Sequence, residues 1–231
     1  MAWTVILLDE VEAWFLAMVD DDPESAVLVA AALDLLEEVG PTLGRPAVDR
    51  IKGSKLHNLK ELRPGSSGGS EIRMLFVFDP DRQAVVLTAG EKGGNWREWY
   101  AEHVPLAEVR YREWLAGGQA STERRRKTMA REWKQVRQDA VGRLDEQAVA
   151  SERKLVGEAV RAHRLAQLRK EQSLTQADVA GMMRVSQARV SKIEHGQLAS
   201  TEMGTLSSYI EALGGKLRVV ADFGDQSVTV E

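Results

Sequence analysis

The chain has 231 residues, of which 43% are hydrophobic, carries a formal net charge of −4 and contains no cysteine. This length favours two small domains, and the apolar content is sufficient for their cores. The absence of cysteine excludes disulfides and thiolate metal sites, and no apolar run approaches the roughly 18 residues of a membrane span. We therefore expect a cytoplasmic protein in a reducing compartment, with no membrane partner.

Charge is distributed unevenly along the chain. Residues 1–44 contain ten Asp or Glu and no Lys or Arg, whereas residues 45–63 contain six Lys or Arg and two carboxylates. From residue 120 to the end there are 19 basic and 15 acidic residues. This mild positive balance suits a domain that docks on DNA, although the whole-chain charge conceals it.

The chain begins with the elements of an α+β domain. An apolar, β-prone run over residues 3–8 predicts a first strand. Apolar residues at helical spacing over residues 9–19 predict an amphipathic helix, and a second helix is expected to start with Pro23 and to stop at Gly40. Two helices therefore lie between the first strand and its partners.

Three further strands and two helices are predicted before residue 116. Hairpin connections join the strands, so an antiparallel sheet is expected there, in one compact domain. The glycine-rich connection at 64–70 is followed by neither Lys-Ser/Thr nor a helix, which favours a hairpin loop over a phosphate loop. The expected strands are about 55–62, with a bulge or a start near Leu59, 71–79 and 83–89, and the expected helices are 96–103 and 105–115.

The second half is expected to be an all-α domain that ends in a short β-hairpin. Residues 117–128 combine glycines, small polar residues and a basic run, as linkers do, so we expect domains at 1–118 and 129–231 joined by a linker at 119–128. The open edge of the hairpin is a candidate dimer interface. The predicted elements are helices over 129–172, with a break near Gly142, and 202–213, and strands over 216–222 and 227–230.

Residues 173–196 (SLTQADVAGMMRVSQARVSKIEHG) predict two short helices joined by a tight turn, because apolar residues recur at helical spacing on both sides of a polar break at 184–187. Thr175 is expected to cap the first helix, with Asp178 returning the bond, and Ser186 to cap the second. The second helix presents amide, hydroxyl, methyl and cationic groups, which suit base edges and phosphates in a major groove. The alternative is a plain helical pair that uses the same caps for stability.

This segment resembles the Xre-type helix-turn-helix of phage repressors and many antitoxins, through its LTQ opening, the VSQ of its second helix and its IExG close. The resemblance implies that Gln176 contacts a phosphate and braces Gln187. It implies that Gln187 and Arg189 read bases. It also implies that Glu194 pairs with Arg169 of the preceding helix inside the fold.

Two positions depart from the family pattern, since Ser173 and Arg184 stand where glycine is common. Arg184 is expected in a left-handed backbone, which costs a non-glycine residue about 1 kcal/mol. The expected DNA-binding residues are Gln176, Ser186, Gln187, Ala188, Arg189, Ser191 and Lys192.

Basic side chains dominate the candidate chemistry of the first half, where neither carboxylates nor histidines are spaced for hydrolysis or metal binding, and we expect no cofactor and no metal. Arg63 ends one predicted strand, Arg73 lies on its neighbour and Lys92 follows the last strand, so these cations can converge. Converging cations can cleave RNA without metal. A base assists attack of the 2′-hydroxyl on the adjacent phosphate, Arg or Lys stabilises the phosphorane and a donor protonates the 5′-oxygen.

Residues 3–115 resemble the RelE/HigB superfamily of toxin ribonucleases, particularly its phage Gp49-like branch, through the run at 55–63, the EIRMLFVFD strand and the GEKGGNW segment. The resemblance implies a RelE-like fold and a toxin that cleaves mRNA, often on the ribosome, giving a 2′,3′-cyclic phosphate. The branch often has paired lysines where this chain has Lys92 alone. The expected catalytic residues are Arg63, Arg73 and Lys92, with Lys55, Lys60 and His57 in support, and the expected RNA-binding residues are Trp96 and Tyr100.

Simpler roles exist for each of these residues. His57 can be a surface or packing histidine, Trp96 and Trp99 can anchor a helix to the sheet, and each lone cation can be a solvated side chain.

Antitoxins of the HigA type carry an Xre helix-turn-helix, so the two resemblances together predict a fused toxin–antitoxin pair. The second half is expected to inhibit the toxin, bind operator DNA and repress its own operon as a homodimer. Residues 129–165 are the expected clamp, whose acidic or apolar side chains would block the basic face. A tether raises the effective inhibitor concentration to roughly millimolar, so the endoribonuclease should be latent.

Two alternatives remain for the first half. It can be a catalytically inactive binding module of a transcription regulator. It can also be a small-molecule-binding domain, although no apolar pocket signature or cofactor motif supports that function.

Overall fold

The computed structural model describes residues 3–65, 71–116, 130–224 and 226–230. The chain divides into two compact units, Met1–Gly157 and Glu158–Glu231. Residues that follow the sequence-predicted linker therefore pack with the first unit. The linker itself, at 119–128, and positions 66–70 of the glycine-rich connection lie outside the described residues.

A six-stranded mixed sheet forms the core of the first unit, in the order β2-β3-β4-β5-β1-β6. Its strands are β1 (Thr4–Leu8), β2 (Val48–Arg50), β3 (Lys60–Leu62), β4 (Ile72–Phe78), β5 (Gln83–Glu91) and β6 (Ala130–Glu132). The antiparallel order of β3, β4 and β5 is confirmed. The sheet is not antiparallel throughout, because β1 pairs with β5 in parallel. Helices carry the chain from β1 to the far edge, and three antiparallel steps then bring β5 back in the direction of β1.

The helices of the first unit are α1 (Asp9–Asp21), α2 (Pro23–Val39), a short 3-10 helix (Gly40–Thr42), α3 (Trp96–Ala116) and α4 (Trp133–Asp139). Helix α2 begins with Pro23, as predicted, after Asp22 accepts a hydrogen bond from the amide of Ser25 at 3.1 Å. It ends at Gly40, whose φ of 62° favours glycine.

Helix α3 replaces the two helices that were predicted on either side of Pro105. Proline removes one backbone hydrogen bond from a helix. Packing keeps α3 continuous, because it buries side chains both before and after the proline, namely Trp99, Ala107, Tyr111 and Trp114.

The strand predicted over 55–62 is also shorter, and it begins at Lys60. Residues 55–58 turn instead, because Glu108 of α3 accepts hydrogen bonds from the Ser54 hydroxyl at 2.9 Å and the Lys55 amide at 2.7 Å. Strand β2 was not predicted from the sequence. The prediction of a helix over residues 130–132 was wrong, because these residues form β6 beside β1.

The second unit has the predicted helix-turn-helix and terminal hairpin. Its elements are α5 (Glu146–Glu171, which begins within the first unit), α6 (Gln176–Met183), α7 (Gln187–Glu194), α8 (Met203–Ala212), β7 (Val219–Asp222) and β8 (Ser227–Val230). The break near Gly142 is confirmed between α4 and α5. Buried residues from α6, α7, α8 and the position after α8 form one core, comprising Val179, Ala180, Val190, Ile193, Tyr209 and Leu213.

The local signals of the helix-turn-helix are confirmed in detail. Thr175 and Asp178 form a reciprocal capping box, and the Ser186 hydroxyl accepts a hydrogen bond from the Arg189 amide at 3.3 Å. Arg184 has φ 55° and ψ 43°, the left-handed backbone that was expected. Among the described helices, none is long and apolar enough to cross a membrane.

Gly40 is expected to be essential to the stability of the first unit. A Cβ atom there would lie 2.2 Å from Cδ1 of Trp3, in addition to the strain of a positive φ. Gly40→Ala should therefore lower the free energy of unfolding by about 3 kcal/mol or more. Urea unfolding followed by tryptophan fluorescence measures this change in the first unit alone, because all six tryptophans precede residue 134.

Gly53→Ala is the matched control. Gly53 also has a positive φ, of 84°, but a Cβ atom there meets nothing within 4 Å. Gly53→Ala should lower the free energy of unfolding only by the cost of backbone strain, about 1–2 kcal/mol. Equal losses for the two variants would contradict the role of the Trp3 contact.

Candidate catalytic face, docking segment and DNA-binding surface

Strand register places three cations at one end of the sheet. Leu62 pairs with Met74, so Arg63 follows beside Arg73, and Arg73 pairs with Gly90, two residues before Lys92. We name Arg63, Arg73 and Lys92 the cationic cluster. The convergence that the sequence predicted is therefore observed.

A buried carboxylate, Glu61, pairs with the two arginines of the cationic cluster. Its side chain is fully buried, accepts a hydrogen bond from Nε of Arg63 at 2.6 Å and accepts another from the hydroxyl of Tyr100. Nε of Arg73 lies 3.8 Å from its Oε1. A carboxylate remains charged in such a position only when donors surround it. Sequence reasoning missed Glu61, although strand alternation places it on the same face as Arg63.

Two further carboxylates pair with the cationic cluster. Asp49 Oδ2 lies 3.0 Å from Arg63 Nη2, and Glu71 Oε2 lies 3.2 Å from Lys92 Nζ. Half of the Glu71 side chain is exposed, so a phosphate can compete with it for Lys92. Nε of Arg73 is buried and has no hydrogen-bond partner, so its N–H group is available to donate a hydrogen bond.

Aromatic side chains from α3 border the cationic cluster. The Tyr100 ring lies 5.9 Å from Lys92 Nζ, and the Trp96 ring meets it edge-on at 6.5 Å. Trp96 is 52% exposed, which leaves its ring accessible to a base. Trp99 is buried and fits the simpler role of an anchor between α3 and the sheet.

The three supporting candidates do not join the cationic cluster. Lys60 lies on the opposite face of β3 from Glu61, with Nζ 5.6 Å from the centre of the Phe78 ring. Burial, together with the charge of Arg50, lowers the pKa of Lys60. Lys55 and His57 are exposed in the turn that precedes β3.

Strand β6, helix α4 and the start of α5 dock on the first 44 residues; we name residues 130–157 the docking segment. Its strand extends the sheet antiparallel to β1, with Leu7 opposite Arg131. Trp133 is 1% exposed and donates from Nε1 to Asp34 at 2.7 Å. Its ring packs edge-on against Phe15 at 5.0 Å. The predicted clamp is thus apolar at its centre.

The charges of the docking segment differ from those predicted. The clamp was expected to block the basic face with acidic or apolar side chains, whereas arginines of the segment meet the carboxylates of α1 and α2. The pairs are Arg131–Glu12 at 2.6 Å, Arg137–Asp34 at 3.7 Å, Arg143–Asp20 at 2.5 Å and Arg153–Glu38 at 3.9 Å. The two helices contain only acidic charges, so these arginines are their complement.

In the second unit a chain of polar contacts links the core to the start of α7, the second helix of the helix-turn-helix. Arg169 donates to both oxygens of Glu194, at 2.6 and 2.8 Å, as the resemblance implied. Glu194 also accepts from Tyr209 at 2.8 Å and from Nε2 of Gln176 at 2.9 Å. Gln176 in turn accepts from Nε2 of Gln187 at 2.6 Å, which is the predicted brace.

The predicted DNA-binding residues lie on or beside the exposed side of α7. Arg189 bonds the Thr205 hydroxyl at 3.0 Å and lies 3.6 Å from Glu202, so it must leave these partners to reach a base. The Ser191 hydroxyl is 3.3 Å from Nδ1 of His195. The exposed members are Ser186, Gln187, Ala188, Arg189 and Lys192, while Gln176 and Ser191 are half-buried.

Comparison with known proteins gives matches in both halves. Residues 14–112 match the family model of phage-derived Gp49-like proteins (DUF891), and residues 165–220 match a helix-turn-helix model. Over 112 residues the chain is 53% identical to HigB3 of Mycobacterium tuberculosis (strain ATCC 25618 / H37Rv), whose name describes a toxin. That match spans 48% of this chain and 93% of HigB3.

The second half has its own relatives. Over 104 residues the chain is 56% identical to HigA3 of the same organism, whose name describes an antitoxin, across 44% of this chain and 95% of HigA3. A solved structure titled "DNA bound antitoxin HigA3" is 56% identical and covers 29% of this chain and 87% of its own, with a TM-score of 0.27.

The three tyrosines are expected to ionise at a higher pH in the folded chain than in the unfolded chain. Burial and the hydrogen bond to Glu61 raise the pKa of Tyr100 to about 12. Burial also raises the pKa values of Tyr111 and Tyr209, the other two tyrosines. An alkaline titration followed by tyrosinate absorbance should therefore show little ionisation at about pH 10, where the unfolded chain titrates.

The same shift makes stability depend on pH. Between about pH 10 and 12 the unfolded chain has lost the Tyr100 proton while the folded chain retains it, so the free energy of unfolding falls as pH rises. Tyr100→Phe should remove the ionisation step near pH 12. A native transition centred at pH 10 would contradict the contact with Glu61.

Proposed function

This chain belongs to the HigB toxin and HigA antitoxin families, and we propose that it is a latent mRNA endoribonuclease that carries its own inhibitor and repressor. The toxin domain would span 1–118, the linker 119–128 and the antitoxin 129–231. The observation that carries the proposal is the cationic cluster, whose arginines pair with the buried Glu61 and which lies near the exposed Trp96.

The proposed reaction needs neither metal nor cofactor. The 2′-hydroxyl of a ribose loses its proton as its oxygen bonds to the adjacent phosphorus, and the bond from phosphorus to the 5′-oxygen breaks. The 5′-oxygen gains a proton, which leaves a 2′,3′-cyclic phosphate and a 5′-hydroxyl. DNA lacks the attacking group and would not react.

Each member of the cationic cluster has a proposed role. Arg63 and Arg73 would stabilise the charge on the phosphorane, since guanidinium groups can hold two phosphate oxygens at once. Lys92 would transfer a proton or stabilise charge. Trp96 would stack on a base of the mRNA, with the Tyr100 ring edge-on beside it. The ribosome is the proposed location of the reaction. Tyr100 keeps its proton at neutral pH and serves as a hydrogen-bond donor.

Latency is proposed to arise from the docking segment. It buries Trp133 against the toxin domain and adds a strand to its sheet, and the tether keeps it at a roughly millimolar effective concentration. Glu152 of this segment lies near the chain that follows Arg63, because a Cβ atom on Gly65 would be 2.9 Å from its carboxylate.

Repression is proposed to arise from the second unit. Helix α7 would enter the major groove, with Gln187 and Arg189 on base edges and Gln176 and Lys192 on phosphates. The terminal hairpin is the proposed homodimer contact, since the exposed side chains of Val228 and Val230 lie on one face of it.

The nuclease proposal is tested by inducing residues 1–118 alone beside the full chain. The short form should arrest growth and create new mRNA 5′ ends, whereas the full chain should do neither. Trp133→Ala with Val136→Asp in the full chain should restore part of the cleavage, because both side chains are buried in the docked state.

Arg63→Ala with Lys92→Ala in the short form is the catalytic control, and it should abolish cleavage while the protein stays folded by circular dichroism. If the unmodified short form is folded but cuts no RNA, the toxin domain is an inactive binding module and the protein is a transcription regulator.

DNA binding is expected to depend on side chains of α7 in two separable ways. Arg189→Ala should weaken binding to the DNA upstream of the gene by about 1–3 kcal/mol and leave non-specific binding nearly unchanged. Lys192→Ala should weaken both specific and non-specific binding, and should reduce the slope of log K against log salt concentration by about one. Arg164→Ala, an exposed arginine of α5, is the control. Gel-shift titrations at several salt concentrations distinguish these outcomes, and equal effects of Arg164 and Arg189 would contradict the assignment.

A further inference from the structure

The contacts of the docking segment are of two kinds. Strand pairing between β6 and β1 uses backbone atoms and is therefore indifferent to sequence. Selectivity must come from side chains. Three of those that face the toxin domain are polar and partly or wholly withdrawn from water: Arg131, Trp133 and Arg137.

Their counterparts on the toxin domain are two shielded carboxylates. The Glu12 side chain is 13% exposed and lies 2.6 Å from Arg131, and the Asp34 side chain is 20% exposed. Asp34 accepts the Trp133 indole N–H at 2.7 Å and faces Arg137 at 3.7 Å. Residues 1–44 contain no Lys or Arg that could replace these partners.

Each arginine is also held by a carboxylate of its own segment. Arg131 bonds Asp139 at 2.7 Å, and Arg137 bonds Glu146 at 2.5 Å. The guanidinium groups are thus aligned within the docking segment and need little reordering to meet Glu12 and Asp34. Pre-alignment of this kind favours binding because less side-chain entropy is lost.

We propose that Glu12 and Asp34 are the specificity-determining residues of the toxin domain, and that they select an antitoxin segment with the pattern Arg-x-Trp-x-x-x-Arg of residues 131–137. A segment without these groups leaves two shielded carboxylates unpaired, which is how a site rejects a wrong partner. A second copy of this chain presents the same segment, so the surface also accepts it in trans. This inference deepens the proposed inhibition.

The proposal is tested by binding in trans. The receptor is the full chain with Trp133→Ala and Val136→Asp, which vacate the docking surface, and the probe is a synthetic peptide of residues 130–157. Glu12→Arg in the receptor, or Arg131→Glu in the peptide, should each weaken binding about tenfold or more. The two reversals together should recover at least half of the loss on a logarithmic scale.

The Arg153–Glu38 pair provides the matched control. Both side chains are about half exposed and lie 3.9 Å apart. Reversing either charge should change binding less than about fivefold, as for other exposed pairs. Equal sensitivity of the two pairs, or a double reversal no better than the sum of the single ones, would overturn the proposal.

A second measurement covers a receptor that fails to fold. In the otherwise unmodified full chain, Glu12→Arg and Arg131→Glu should each lower the urea midpoint of the first unit, and the double variant should recover it. Neither readout involves RNA cleavage. Charge-dependent binding without nuclease activity would refute the toxin function alone, and cleavage without charge dependence would refute the selectivity alone.

Discussion

The edge of strand β1 is the constraint on which the first unit depends. Its inner neighbour is β5 and its outer neighbour is β6, a strand from the other half of the chain. An uncovered edge offers unpaired backbone groups to any extended chain. Beside that edge lie helices with nine carboxylates and no Lys or Arg, so an arginine-rich segment with a tryptophan at its centre satisfies the backbone, the apolar core and the charge at once.

The two units use the same device to orient functional side chains. Glu61 is a buried carboxylate that binds a tyrosine hydroxyl and an arginine, and so is Glu194. In the first unit this arrangement fixes Arg63 and Tyr100 beside the other cations. In the second unit it extends through Gln176 to Gln187 at the start of α7. A shielded acid that is saturated with donors is rigid, and rigidity is what a phosphate or a base edge requires of the groups that meet it.

Local signals explain what the sequence could predict. The caps at Thr175 and Ser186, the left-handed Arg184 and the stop at Gly40 depend on neighbours within four residues, and all four were correct. Hairpin order was enough to bring Arg63, Arg73 and Lys92 together. Strand β6, the parallel β1–β5 pair and the contact of Glu61 with Tyr100 depend on partners far along the chain, which no periodicity reveals. The arginines of the docking segment could be inferred from the acidic first 44 residues, but only once those residues were known to be its partner.

The position of the docking segment after the toxin domain also sets an order of synthesis. The ribosome completes α3 before it makes residues 130–157, and roughly 40 residues at about 5–20 residues per second take about 2–8 s. At the start of that interval every strand of the toxin sheet except β6 has been made, and the nascent chain is still attached to the ribosome that is reading its own message. Each round of translation therefore contains a short period in which the residues of the first domain have been synthesised and the docking segment is not yet complete.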